Sequence, residues 1–226
     1  MFKDFSNSSR VRTVAIVSLV GLFCVTGAVS ANATYVVNVS PAKNASAGIF
    51  TCAEGGKCVI GDTGPGGGRV FYILDAATKS VWHYLEAAPD AWNSGKADPG
   101  STWCSNTENF VKVLNTVATP VRSETSSLIG AGARNSKMML ASCATGAANL
   151  ASAYNGGGKY DWYLPSTEEL NQLYKNRNAL GIFASGSYWS STEGATNYGK
   201  SQAFNTGFVS FTMKKSCARV RPIRAF

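Results

Sequence analysis

The chain has 226 residues, of which 45% are hydrophobic, 11% aromatic and 15% charged, with a formal net charge of +8. Disorder is excluded by that hydrophobic share, and nucleic acid is disfavoured as a partner because no long single-sign run occurs apart from a basic C-terminal end. The composition suits a compact domain working outside the cell.

Lys3, Arg10 and Arg12 form a basic leader, residues 13–29 are apolar or small, and Ala31-Asn32-Ala33 is a small-x-small cleavage site. Residues 1–33 therefore read as a secretory signal peptide; the alternative, an uncleaved anchor, is the sole membrane association the sequence offers. Phe23 is too bulky for the position before a lipoprotein cysteine, so Cys24 is read as discarded with the leader. Cleavage after Ala33 takes 33 of 226 residues and leaves 193, with 18 basic against 12 acidic residues, enough for one domain with a real core. Residues 34–50 are small and polar, with the composition of a linker, and the domain is placed at 51–226.

Five cysteines follow the leader: Cys52, Cys58, Cys104, Cys143 and Cys217. In an exported chain disulfides come before zinc, and with no C-x-x-C pair and His83 as the lone histidine no metal site is expected. An odd number leaves one thiol free or paired between chains. Cys52 and Cys58 bracket the flexible Ala-Glu-Gly-Gly-Lys turn, which predicts a local disulfide. The glycine-rich stretch 61–69 invites comparison with a phosphate loop or with collagen triplets. It lacks a Gly-Lys-Ser/Thr ending and is too short for a triple helix, so it reads as a turn feeding a strand at 69–74. A second strand at 81–87 pairs with it and contains His83, for which no motif supplies a catalytic partner. A loop with Trp92 and Trp103 spans 89–103.

Apolar residues at helical spacing predict helices over 109–117, 136–143 and 147–154, with Gly130 and Gly132 as a breaker between the first two. In Asp161-Trp-Tyr-Leu-Pro-Ser-Thr-Glu-Glu-Leu170, Ser166 is an N-cap and Glu169 stands three residues later, the signature of a capping box. The helix it opens starts at Thr167, buries Leu170, Leu173 and Tyr174, and ends at Asn178 or Gly181. Strands follow at 187–192, 201–204, 208–213 and 216–224, with hairpin turns at 205–207 and 214–215. Strands flanking a helical middle predict an α+β fold in which the first and last strands share one antiparallel sheet and the Thr167 helix packs on it.

Three segments together carry a resemblance: Gly61-Asp-Thr-Gly-Pro-Gly-Gly-Gly-Arg-Val-Phe-Tyr72; the 161–170 segment with Tyr188-Trp-Ser-Ser-Thr-Glu193; and Val220-Arg-Pro-Ile-Arg-Ala-Phe226. In this order they resemble the Lcl C-terminal domain family, named after a collagen-like bacterial surface adhesin that binds sulfated glycosaminoglycans. The resemblance implies a C-type-lectin-like antiparallel sheet with helices inserted between N- and C-terminal strands, distantly similar to formylglycine-generating enzymes. It implies Cys104–Cys143 as the second disulfide, leaving Cys217 over. No collagen-like stalk is present, so the oligomeric state stays open. The calcium-binding triplets of sugar-binding C-type lectins are missing, and Trp189-Ser-Ser stands roughly where one would be, so no calcium or other cofactor is expected.

The resulting expectation is a secreted or cell-surface adhesion domain without catalytic residues. Its ligand surface is sought on the loops 90–103 and 189–200 and on the late cations, with Lys200, Lys214, Lys215 and Arg219 facing a sulfated or acidic polysaccharide beside Trp189 and Glu193. A display domain bound to an envelope protein is the alternative. An enzyme ranks third, because Cys217 stands alone where the formylglycine-generating enzymes carry a cysteine pair and no Gly-x-Ser-x-Gly elbow accompanies His83.

Overall fold

A computed structural model of the chain describes residues 50–90, 92–112 and 122–226. The expected signal peptide, all but the last residue of the expected linker, and residues 113–117 of the first expected helix lie outside the described residues.

Helix α3, Thr167–Asn176, begins as its sequence demands. Ser166 Oγ accepts from the Glu169 amide at 3.3 Å, and Glu169 Oε2 accepts from the Ser166 amide at 2.7 Å. Leu170 and Leu173 are buried with Tyr174 partly so, and the helix packs on strands of both sheets. Helices α1, Gly132–Ser142, and α2, Ala147–Ser152, precede it. Gly132 opens α1 instead of breaking it, since a Cβ there would overlap the Glu169 carboxylate and the Tyr163 ring.

The fold is α+β with two sheets. Strands β1 (Arg69–Ile73), β2 (Tyr84–Ala87) and β8 (Ile223–Ala225) form the first, in the order β1-β2-β8. The second takes the order β3-β7-β4-β5-β6, with β3 at Gly100–Ser101, β4 at Ser187–Ala195, β5 at Tyr198–Ala203, β6 at Val209–Met213 and β7 at Ala218–Arg219. All pairings are antiparallel except the single-register contact of β4 with β7. Central strand β4 is covered on both faces. Tyr188 enters one core with Phe71, Leu173 and Ile223, whereas Trp189 enters the other with Trp103, Met139 and Val220.

Four expectations need correction. The last strand, expected as one element at 216–224, is two short strands in different sheets. Pro222 has no amide to donate to a ladder, and the side chains of Val220 and Arg221 are both buried instead of alternating. The expected sharing of a sheet by the chain's first and last strands holds for β8 and fails for β7. Residues 109–112 are irregular because their backbone serves side chains: the Val111 amide donates to the buried Glu193, the Lys112 amide to the half-buried Ser142, and the Asn109 carbonyl accepts from the buried Lys214. Strand β2 starts only at Tyr84, leaving His83 exposed ahead of it. Finally, the loop sought at 189–200 is the hairpin of β4 and β5. Its Ser-Ser-Thr run, the end of the strand expected at 187–192, lies in β4, where Ser190, Ser191 and Thr192 are buried and donate to the carbonyls of Lys200, Pro165 and Ser126.

Both expected disulfides are present, Cys52–Cys58 and Cys104–Cys143, and Cys217 is free and exposed. The second ties the segment after β3 to the end of α1.

Glu169 links α3 to the start of α1, since its Oε1 also accepts from the Gly130 amide at 2.8 Å. Burial raises its carboxyl from 4.5 to about 7, against the lowering effect of the Ser166 and Gly130 amides. Because the native state holds this proton more tightly than the unfolded chain, its stabilising effect is complete below pH 4.5 and is lost as pH rises through about 7. Urea unfolding across that window should show stability falling by roughly 3 kcal/mol from this group, and Glu169→Gln should flatten the slope.

Candidate functional site

Most ionisable groups in the interior are spent on one another. Asp98 accepts four hydrogen bonds on two oxygens: Trp92 Nε1 at 2.7 Å and Arg221 Nε at 2.8 Å on Oδ1, then Arg221 Nη2 at 2.7 Å and the Tyr188 hydroxyl at 2.5 Å on Oδ2. Burial and the Asp98 charge push the Tyr188 phenol well up, so it stays a donor. Arg221 continues to the carbonyls of Ala88 and Ile182, and its guanidinium lies 4.3 Å from the Phe183 ring centre.

Glu86 is held by the glycine-rich loop. The amides of Gly66 and Gly68 donate to it at 2.9 and 3.0 Å, and Arg224 Nη1 adds a third contact at 2.9 Å. A Cβ on Gly64 or Gly66 would come within 2.6 or 2.7 Å of the carboxylate. The loop is thus a cradle for an anion, and that anion is an internal side chain.

Of the predicted ligand residues, three belong to the interior, which corrects the surface expected for them. Lys214 is fully buried, donating to Glu193 Oε1 at 2.6 Å and to the Asn109 carbonyl at 2.8 Å, with its ammonium 5.0 Å from the Trp103 ring centre. Burial pushes the Glu193 carboxyl up and the Lys214 amine down, and their mutual hydrogen bond opposes both shifts. Trp189 is fully buried, its Nε1 donating to the Ser101 carbonyl. The basic run misled because a lysine beside a turn ordinarily points to water. Lys215 is exposed in the turn, Lys200 is half-buried 5.6 Å from the Phe211 ring centre, and Arg219 donates to the Asp98 carbonyl at 2.7 Å.

The surface instead folds into three adjoining depressions around the 182–187 segment. One of about 320 Å3 is lined by Asp90, Lys96, Asp98 and Ile182 and shares Ala184 with the next. That one, about 520 Å3, has Phe183 and Phe204 with Arg177, Asn178 and Asn205 around it, and shares Ser185 with the third. The third, about 510 Å3, holds Cys217 and Arg219. Three cations, Lys96, Arg177 and Arg219, therefore border one continuous surface. Arg177 is pre-positioned, stacked 4.1 Å from the Tyr174 ring centre and donating to the Tyr174 carbonyl. The expected 90–103 loop contributes to this surface, but nothing in the pattern around Lys96 or Arg177 set them apart from ordinary solvated residues.

Among the described residues no side chain hydrogen-bonds the His83 imidazole, and no group of three or more His, Cys, Asp or Glu lies together as metal ligands do. A family model described as the Lcl C-terminal domain matches residues 72–224, a span that begins just after the glycine loop. No curated protein matches the chain.

Asp98→Ala would leave the Arg221 guanidinium buried without its counter-charge and should cost about 3 to 5 kcal/mol in guanidinium unfolding. Asp98→Asn, which keeps an acceptor for part of the donor set, should cost less.

Proposed function

The chain belongs to the Lcl C-terminal domain family, and from that premise we propose that it is a secreted or cell-surface bacterial binding domain, non-catalytic, whose ligand is a polyanionic glycan. The observation that carries this reading is an unequal burial of charge. Of 17 basic and 12 acidic residues described, the fold buries two basic, Lys214 and Arg221, and four acidic, Glu86, Asp98, Glu169 and Glu193. That leaves 15 basic against 8 acidic residues outside the interior, an excess of seven where the described residues as a whole carry an excess of five. Lys96, Arg177 and Arg219 gather part of that excess around linked depressions, where a chain of sulfate or carboxylate groups would meet several cations at once.

A protein partner in the cell envelope is the second reading, and a specific feature favours it. Edge strand β6 exposes Val209, Phe211 and Met213 on alternate positions, with Phe208 beside them. An apolar edge with open backbone groups suits strand addition by another protein.

Heparin and dextran sulfate should bind at low salt and release as the Debye length falls from about 10 Å at 0.1 M to about 3 Å at 1 M. Lys96→Ala with Arg177→Ala should weaken binding roughly three- to tenfold at 0.1 M salt, as expected for two exposed charge contacts. Absence of binding at low salt, or binding indifferent to salt, would reject the glycan reading. Phe211→Lys should leave heparin affinity intact while abolishing capture of an envelope partner if the second reading holds.

A further inference from the structure

A fourth depression, sharing no lining residue with the three around the 182–187 segment, lies between α1 and the stretch 160–163. We propose that this groove binds the ring of a neutral pyranose sugar.

The groove encloses about 310 Å3, the lower end of the range for small-molecule sites. One wall is a single face of α1, where Ala133, Lys137 and Leu140 recur at spacings of four and three. Tyr160, Asp161 and Tyr163 form the other. Tyr160 is 80% exposed, an aromatic ring held in water with no ring partner among the described residues. Tyr163, by contrast, is 7% exposed, and its hydroxyl bonds to no described residue although it lines the groove. That hydroxyl is not among the buried unpartnered polar atoms of the described residues, Asn149 Oδ1 and Gln202 Oε1, so it opens onto the water of the groove.

The charges here balance. Arg224 bridges Glu86 and Asp161, and Lys137, which makes no ion pair among the described residues, supplies the second positive charge. Asp161 Oδ1 is taken by Arg224 Nε at 2.5 Å, while Oδ2 is open. The groove therefore offers an acceptor at Asp161, a donor at Lys137, and a group that can do either at Tyr163.

A sugar ring has the complementary set. Its C–H face lies on an aromatic ring, and its hydroxyls donate to a carboxylate and accept from an ammonium at once. A polyanion would meet Asp161 and be repelled. An apolar peptide side chain would strip water from Lys137, Asp161 and the Tyr163 hydroxyl without replacing the lost hydrogen bonds.

Saturation-transfer NMR on the full chain, with methyl glucoside, methyl galactoside, methyl mannoside and N-acetylglucosamine, tests this. At least one should show transfer to its ring protons, with an affinity unchanged between about 0.05 and 0.5 M salt, as a neutral ligand requires. Tyr160→Ala, which alters an exposed side chain, should weaken that affinity about tenfold, whereas Tyr160→Phe should retain it. Asp161→Asn should change the preference among the four sugars. Heparin affinity should be unaltered in all three variants, so failure here is distinguishable from failure of the polyanion reading. No transfer from any of the four, transfer insensitive to Tyr160→Ala, or binding of indole and phenol in place of the sugars would overturn the proposal.

Discussion

Two oxygen atoms of Asp98 receive four hydrogen bonds, and through them five separate stretches of chain are fixed to one point. Trp92 comes from the loop that carries Asp98, Tyr188 from β4, and Arg221 from the link between β7 and β8; Arg221 then reaches the carbonyls of Ala88 after β2 and Ile182 after α3. A desolvated ion pair adds little net stability over an apolar filling of the same space, but it tolerates only one geometry. That geometry holds the last strands apart into two sheets and sets the floor on which the 182–187 segment lies. The surface depressions are thereby shaped by a buried ion pair, and Asp98 itself lines one of them.

Elements specified by neighbours in sequence were legible in the sequence; elements specified by distant partners were not. Ser166 and Glu169 satisfy each other across three residues, so α3 could be placed from its first residue, and Cys52 with Cys58 is likewise local. The final strand could not be divided correctly: Pro222 stands at the break, but what draws Arg221 into the interior beside Val220 is Asp98, 123 residues away. The same distance hides the candidate site. Lys214 lies 21 residues from Glu193 and 105 from Asn109, and nothing in its immediate surroundings marks it as interior. Arg177 and Lys96 became neighbours of one surface only through the packing of the 182–187 segment between them.

The glycine stretch shows how a correct physical signal can be attached to the wrong ligand. Backbone amides converging without side chains form an anion site whatever the anion is, and the pattern Gly64, Gly66, Gly68 is that of such a site. Its anion is Glu86, delivered from the neighbouring strand and clamped from the other side by Arg224. The comparison with phosphate loops fails on ligand identity, and the reason the glycines are needed survives.

Internal satisfaction of carboxylates also decides what remains outside. Glu86 and Glu169 are held largely by backbone amides, which satisfy a carboxylate's lone pairs without consuming a full cation. Had each taken a lysine or arginine inward with it, the exterior would have kept only the basic excess of five set by composition. Because amides do that work, unequal burial raises the basic excess of the described residues from five to seven, adding to what composition already supplies. Near Tyr160 the excess disappears, since Arg224 is shared between Glu86 and Asp161 and is not free to face the solvent. One fold thus presents three cations around the 182–187 segment and an electrically balanced groove beside α1, two surfaces of different charge.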